Sequence, residues 1–178
     1  MFGKQYRFKG IHALRVDQLT SVFDAASKAK LFERNIDVYI NAPLIGFLYG
    51  RRAEIDNTKN PETNQIYDES VMGDKVIEFQ EELMFNFRLI MLLDKLYEPD
   101  DDKRIDNAFR YPGENPEDVE RFDSYVRGGV DVLYEKLIEG AVNSEDYINN
   151  LFEFIEEFQE RFNSEILDND VLQFCISE

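Results

Sequence analysis

Apolar residues recur three and four positions apart along most of this chain, the spacing that places side chains on one face of an α-helix. In the segment 17–30, for example, Leu19, Val22, Phe23 and Ala26 share one face. Capping residues or polar stretches separate the periodic segments from one another. The pattern predicts helices over about 17–30, 32–49, 74–97 and 116–140, a short helix after Asp100 or Asp101, and a final helix that Ser144 caps.

Three segments lack the helical pattern. Residues 1–15 alternate aromatic and basic side chains over part of their length, which predicts a short extended arm or a small hairpin. Residues 51–73 are polar and rich in Asn, Asp and Thr, so we expect them to form the longest loop. Residues 171–176 are an apolar tail that would pack as a strand or a helical turn.

Local signals place the ends and interruptions of the helices. Asn115 followed by Pro116 combines a capping side chain with proline at the first helical position. Gly140 suits the C-terminal cap of the same helix. Pro43 lies inside the second helix and predicts a kink or a break there. The segment 74–97 is apolar nearly all round, which is typical of an enclosed, central helix.

The final helix has two contrasting faces. We expect its apolar seam to face the core, and its other face is acidic. The fold class is therefore all-α, or predominantly so: one domain over residues 1–178, an irregular helical bundle of about five to six helices with a short N-terminal extended arm. The seam consists of Tyr147, Leu151, Ile155, Phe158 and Phe162, and the acidic face carries Glu153, Glu156, Glu157 and Glu160.

Composition narrows the class of protein. The 178 residues are 43% apolar and 13% aromatic, enough to fill a core, and no run of about 18 uncharged apolar residues could cross a membrane. No secretory signal opens the chain, and the single cysteine, Cys175, excludes an internal disulfide, so a cytoplasmic location is expected.

The net charge of −17 is unevenly distributed. Residues 1–52 carry nine Lys and Arg against four acids, whereas the remainder carries eleven against 33. The net negative charge of the protein repels nucleic-acid phosphates. The uneven distribution of charge along the chain suits docking between protein subunits.

Residues that carry chemistry are few. One histidine, His12, and one cysteine cannot form a His-rich metal site, and Gly128-Gly129 lacks the spacing and the lysine of a phosphate-binding loop. The acidic run 100–102 fails as a calcium loop because Arg104 occupies a ligand position. We therefore predict no enzymatic activity, no cofactor and no metal.

The candidate binding segment is Phe32–Arg52, which ends in Gly50-Arg51-Arg52. Two arginines there complement the negative end of the helix and offer planar donors to a carboxylate or a phosphate. The alternative is a core helix with a glycine stop and two solvated arginines. Gly128-Gly129 would let a neighbouring helix approach closely. The predicted partner- or phosphate-binding residues are Tyr39, Gly46, Tyr49, Gly50, Arg51, Arg52, Arg127, Gly128 and Gly129.

Three stretches carry a resemblance: Ile36–Arg52, Arg88–Ile90 and Tyr125–Leu133. In an aromatic helix ending at Gly-x-x-x-Gly-Arg-Arg and a later Gly-Gly-x-x-x-Leu helix, the chain resembles small accessory proteins encoded beside bacterial DNA-phosphorothioation and related phage-defence systems. The resemblance implies a setting, a multi-protein defence complex, more than a reaction. Pro43 and the acidic C-terminal half depart from the family's pattern.

Four functions follow as hypotheses, and the fourth is a small enzyme that acts through scattered carboxylates. The first is a non-enzymatic subunit of an anti-phage defence complex that binds other protein subunits, with self-association left open and no membrane partner. The second is a DNA mimic or inhibitor that uses the acidic face of residues 144–170. The third is an accessory subunit that contacts nucleic acid, within the complex, through basic residues near the N-terminus. Those residues are Lys4, Arg7, Lys9 and Arg15.

Overall fold

The computed structural model describes residues 1–162, and the apolar tail 171–176 lies outside them. The described part is predominantly helical, as predicted, but two small antiparallel sheets make it more than a helical bundle. A π-helical turn covers Asp106–Arg110. The other elements are β1 (Tyr6–Lys9), α1 (Ile11–Thr20), β2 (Val22–Asp24), β3 (Ala29–Lys30), α2 (Asn35–Leu48), β4 (Asp68–Val71), α3 (Gly73–Glu78), α4 (Gln80–Leu93), α5 (Asp101–Ile105), α6 (Pro116–Leu137) and α7 (Ser144–Phe162).

Helices α2 and α6 form the centre of the fold through direct backbone contact. A Cβ at Gly46 would overlap the main-chain carbonyl of Tyr125, and a Cβ at Gly129 would overlap that of Ala42. Only glycine permits such an approach. Gly128 instead makes room for the segment that follows α2. The predicted close helix approach is thus confirmed for Gly129, whereas Gly128 serves a loop.

The enclosed, central helix is α6 and not the segment 74–97. Thirteen of the 22 residues of α6 are buried. The segment 74–97 divides at Phe79 into α3 and α4, and α4 leaves Phe85 exposed at its surface. Among residues 1–162, no helix has the length and apolar character that a membrane span requires.

The predicted helix over 17–30 is wrong, because α1 begins earlier and residues 22–30 form the β2–β3 hairpin. A carboxylate oxygen of Asp56 accepts the backbone N–H of Ile11 at 2.6 Å and so caps α1. Gly10 has a positive φ of 58° and donates its N–H to the carbonyl of Tyr67 at 2.9 Å. The start of α1 therefore depends on residues distant in the sequence.

Residues 1–15 do not form a free arm. Strand β1 pairs antiparallel with β4, with Tyr6 opposite Val71. Phe2 is buried and packs edge-on against Phe122, with ring centroids 5.7 Å apart. The extended conformation is confirmed for β1 alone. Its pairing partner, β4, also means that the predicted polar loop ends as a strand.

The predicted N-terminal cap of α6 is confirmed, but Asn143 and not Ser144 caps α7, since its side chain accepts the N–H of Glu145 at 2.9 Å. The C-cap of α6 is Ile138, so the predicted cap Gly140 lies beyond it. The Asn115 side chain accepts the N–H of Glu117 at 3.1 Å, which confirms the predicted start of α6.

Pro43 lies inside α2, which continues unbroken to Leu48, so a break is excluded and the predicted kink stays a prediction. Contacts of α2 with α6 on both sides of the proline, at Ala42 and Gly46, hold the helix together.

Candidate functional site

Helix α7 presents a row of exposed apolar side chains. Ile148, Leu151, Phe152 and Ile155 follow the i, i+3, i+4, i+7 spacing of one helix face, and they are 45%, 37%, 62% and 42% exposed. Within this described helix no residue is buried. Single exposed apolar residues are ordinary, but a contiguous row is typical of an interaction site. We name these four residues the α7 stripe.

Acidic side chains line one side of the α7 stripe. Glu145 precedes Ile148 by three residues and Glu156 follows Phe152 by four, so both are neighbours of the stripe on the helix surface. Ion pairs within residues 1–162 do not include these acids, and residues 163–178 contain no Lys or Arg. The stripe therefore has an uncompensated negative border. Its four acids are Glu145, Glu153, Glu156 and Glu160.

The opposite side of α7 packs on the body of the protein through aromatic rings. Tyr147 stacks on Phe23 with centroids 5.1 Å apart, and Phe154 stacks on Tyr49 at 6.4 Å. The predicted apolar seam is thus correct in placing Tyr147 against the core. It is wrong for its two members in the α7 stripe, which face solvent.

One acid of α7 lies against the body rather than on the acidic face. Glu157 accepts a hydrogen bond from Lys136 at 2.6 Å and another from the Tyr49 hydroxyl at 3.3 Å. The hydrogen bond from Lys136 lowers the pKa of Glu157, whereas desolvation raises the pKa of Tyr49. Arg161 lies over the Tyr49 ring, 4.6 Å from its centroid. These contacts fix the rotation of α7 and therefore which face points outward.

The binding residues predicted near the end of α2 do not form one site. Gly50, with φ of 63°, stops the helix as predicted, and the following Arg51 pairs with Glu135 at 2.8 Å. Arg52 is exposed beside them. The glycines of the second predicted group serve internal packing, so their backbone is closed to a partner and their assignment as docking residues is wrong. Those glycines are Gly46, Gly128 and Gly129.

Two further predicted binding residues lie inside the fold. Tyr39 is only 3% exposed and stacks on Tyr6 with ring centroids 4.0 Å apart, and burial raises its pKa. Arg127 is buried, donates to the carbonyl of Ala53 at 2.8 Å and pairs with Glu120. Both side chains hold the fold together, which corrects their assignment as partner-binding residues.

The N-terminal cations are partly neutralised by acids from later in the chain. Arg7 pairs with Asp68, and Arg15 pairs with Asp131. The folded protein therefore has a smaller charge asymmetry than its sequence. Two of the four cations predicted to bind nucleic acid are occupied by carboxylates of the same chain. The exposed cations that remain are Lys4 and Lys9.

His12 belongs to a buried polar group, with Arg15 and Asp131, between α1 and α6. Its Nε2 lies 3.2 Å from Oδ1 of Asp131, the oxygen that also binds Arg15. Burial acts to raise the pKa of Asp131, but hydrogen bonds and charge from His12 and Arg15 bring it below its ordinary value. The guanidinium of Arg15 also lies over the Tyr134 ring at 5.0 Å. The group holds α1 against α6.

The sequence did not predict a role for one titratable residue, Asp123. Asp123 of α6 lines two cavities, of about 140 and 120 Å³, beside β1. Burial raises its pKa to about 7, with Arg127 opposing the shift and Glu120 adding to it. The available signal was helical spacing, since Val119 and Val126 place Asp123 on an apolar face.

No family model, no curated protein and no solved structure matches this chain. The resemblance to phage-defence accessory proteins accordingly stays a prediction. Within residues 1–162, no group of three or more His, Cys, Asp or Glu side chains is placed to hold a metal ion.

Proposed function

We propose that this chain is a non-enzymatic protein-interaction subunit that docks a partner protein through the α7 stripe. The observation that supports this most directly is the exposure of four apolar side chains at helical spacing, 37% to 62% each. Fully burying one such side chain contributes roughly 1.5–3 kcal/mol. Docking the apolar face of a helix in a groove is a recurring mode of recognition.

The border of the α7 stripe indicates the chemistry of the partner. Glu145 and Glu156 lie next to the apolar row and lack ion pairs in the described chain. A complementary surface has an apolar groove with Lys or Arg side chains along one side, because opposite charges speed association and set orientation. A basic partner protein is therefore the occupant that we propose for this face.

The setting that we propose is a bacterial anti-phage defence complex. Only the resemblance carried by Ile36–Arg52, Arg88–Ile90 and Tyr125–Leu133 supports it. A defence complex would supply other protein subunits as partners, and it agrees with an accessory role without chemistry of its own.

The acidic border also favours a second candidate, a DNA mimic. Carboxylates at helical spacing can occupy a phosphate-binding groove, and Glu153, Glu156 and Glu160 are exposed on α7. The two candidates differ in what drives binding. A DNA mimic depends on the acids, whereas the docking that we propose depends first on Leu151 and Phe152.

The test is affinity capture of the tagged protein from its native cells, with and without nuclease, followed by reconstitution with the purified partner. We expect a stoichiometric, nuclease-resistant partner for the native chain. Leu151→Glu with Phe152→Glu should weaken its binding at least tenfold in calorimetry, since two central contacts become charged. Val142→Glu, at an 89% exposed position outside the stripe, is the matched control and should bind normally.

Two outcomes would contradict the proposal. If no nuclease-resistant partner is captured, the interaction function is wrong. If the double variant binds as the native chain does, the α7 stripe is not the docking face. Replacing Glu153, Glu156 and Glu160 together by Gln separates the candidates: abolished binding, together with competition by DNA for the partner, favours the DNA mimic.

A further inference from the structure

A second exposed apolar face lies on α4 and the turn that follows it. Phe85 is 63% exposed, Leu93 49% and Leu96 96%, and Leu89 lies partly buried between the first two. The spacing of four residues places Phe85, Leu89 and Leu93 in one row along α4, and Leu96 lies in the turn that follows the helix. We name these four residues the α4 face. The described structure has few contacts between α4 and α7, so this face is separate from the α7 stripe.

The charges around the α4 face differ from those around α7. Glu81 and Glu82 lie exposed at the start of α4, before Phe85. Lys95 lies exposed at the other end, between Leu93 and Leu96. Within the described residues none of these three charges forms an ion pair. Two carboxylates therefore lie before the apolar residues of this face, and one ammonium group, that of Lys95, lies at its other end.

We propose that the α4 face binds the same face of a second copy of this chain. In a two-fold symmetric dimer the same patch of both copies forms the interface. If one residue contacts a second residue of the other copy, the second residue contacts the first in the same way. When two α4 helices lie antiparallel and cross at Leu89, Phe85 lies opposite Leu93 of the second copy. Glu82 then lies near Lys95 of the second copy, and the reciprocal pair forms at the other end.

The shape of the surface fits this arrangement. Phe85 stands between two open clefts of about 770 and 380 Å³. Ile77 and Met84 line the larger cleft, and Ile40 and Leu44 line the smaller one. Projecting apolar side chains at the far end of the same face, Leu93 and Leu96, supply the complementary knobs.

Charge explains why the second copy belongs on α4 and not on α7. Two α7 stripes would bring uncompensated glutamates together, whereas two α4 faces bring Glu82 towards Lys95. The net charge of −17 on each copy opposes any self-association, and salt screens that repulsion. The dimer is therefore expected at about 150 mM salt and at micromolar or higher concentration.

The experiment is sedimentation equilibrium of the full chain at about 150 mM salt. We expect a mass twice the 21.0 kDa of one chain. Glu82→Lys and Lys95→Glu, each alone, place like charges opposite one another and should weaken dimerisation at least tenfold. Combining the two restores opposite charges and should recover the dimer. The control Val142→Glu, at an 89% exposed position outside both apolar faces, should leave the mass unchanged.

Every result bears on the inference. A monomer at 100 µM native chain (about 2 mg/mL) overturns it, as does a dimer that survives Leu93→Glu combined with Leu96→Glu. Single charge variants that weaken the dimer without recovery in the double variant also overturn the antiparallel register. Circular dichroism of each variant shows whether it is folded. The dimer experiment needs no other protein, so the absence of a dimer would not contradict the proposed docking through α7. The absence of a partner for α7 would likewise not contradict the dimer.

Discussion

Helices α6 and α7 resemble each other in sequence but not in their surroundings. Both are long, acidic and amphipathic, and each begins after an asparagine whose side chain caps it, Asn115 for α6 and Asn143 for α7. Thirteen residues of α6 are buried, whereas α7 has none. Periodicity shows which side of a helix is apolar, but it does not show whether the rest of the chain covers that side. The apolar side of α7 that residues 1–162 leave uncovered is the one that we propose for a partner.

The polar groups of the two helices show the same difference. Arg121 of α6 donates to Asp94 at 2.7 Å, and the Tyr125 hydroxyl donates to the same carboxylate at 2.8 Å. Asp94 is 3% exposed, and burial acts to raise its pKa, but these donors keep it below its ordinary value. Buried charges are stable only when they are paired in this way. On α7, by contrast, Glu153 and Glu156 are left in solvent.

The largest expected effect comes from comparing one phenylalanine in each helix. Phe122 of α6 is fully buried, and Phe152 of α7 is 62% exposed. Phe122→Ala should lower the free energy of unfolding by about 4 kcal/mol, because it leaves a cavity between aromatic rings. Phe152→Ala should change it by less than about 1 kcal/mol. Urea denaturation followed by circular dichroism measures both.

Equal losses for the two variants would break the comparison, because Phe152 would then be part of the core. A small loss for both would mean that the core around α6 relaxes to fill the space. Either result would remove the reason for treating α7 as the surface reserved for binding.

The second largest effect is expected from replacing a glycine of α6, Gly129, and a surface glycine is the control. Gly129→Ala should cost about 3 kcal/mol or more, since its Cβ overlaps the backbone of Ala42 and neither helix can move freely. Gly3→Ala is the control, because a Cβ there meets no atom within 4 Å. Thermal unfolding should show a clear fall in Tm for the first variant alone. If both variants melt like the native chain, the α2–α6 contact is looser than described.

The elements that the sequence predicted well are those whose signals are local. Asn115 capped α6 as expected, and Asp100 capped α5 by accepting the N–H of Lys103 at 3.0 Å. The errors arose where distant residues decide the outcome. Helix α1 begins at Ile11 because Asp56 caps it, and no pattern near Ile11 reveals that partner.

The candidate site was less predictable than the fold for the same reason. Residues with unusual sequence features, such as Gly129 and Tyr39, turned out to serve packing. Two of the four residues of the α7 stripe, Leu151 and Ile155, belong to the apolar seam that the sequence predicted to face the core. The exposure of the stripe depends on the rotation of α7, which Lys136 and Phe23 fix from other elements. A helical wheel of α7 alone does not contain that information.

The smallest of the three effects concerns Asp123, a titratable group of α6 that no described hydrogen bond satisfies. Burial raises its pKa to about 7. The charge of Glu120 also raises the pKa of Asp123, and the charge of Arg127 lowers it. Tyr6 of β1 lines the same cavities. Asp123→Asn should therefore stabilise the protein at pH 8 by on the order of 2 kcal/mol, less than the whole shift implies because the side chain is partly exposed.

The direction follows from proton linkage. A carboxyl whose pKa is higher in the folded than in the unfolded chain stabilises the fold when protonated, so its contribution is complete below about pH 4. That contribution is lost as the pH rises from about 4 to about 7, where folded Asp123 ionises. The stability difference between native chain and Asp123→Asn, from urea titrations across pH 4–8, should thus grow over this range and level off above it. Since both proteins share every other titrating group, a pH-independent difference would show that Asp123 is solvated in the folded chain, and that α6 is less completely enclosed than its contrast with α7 requires.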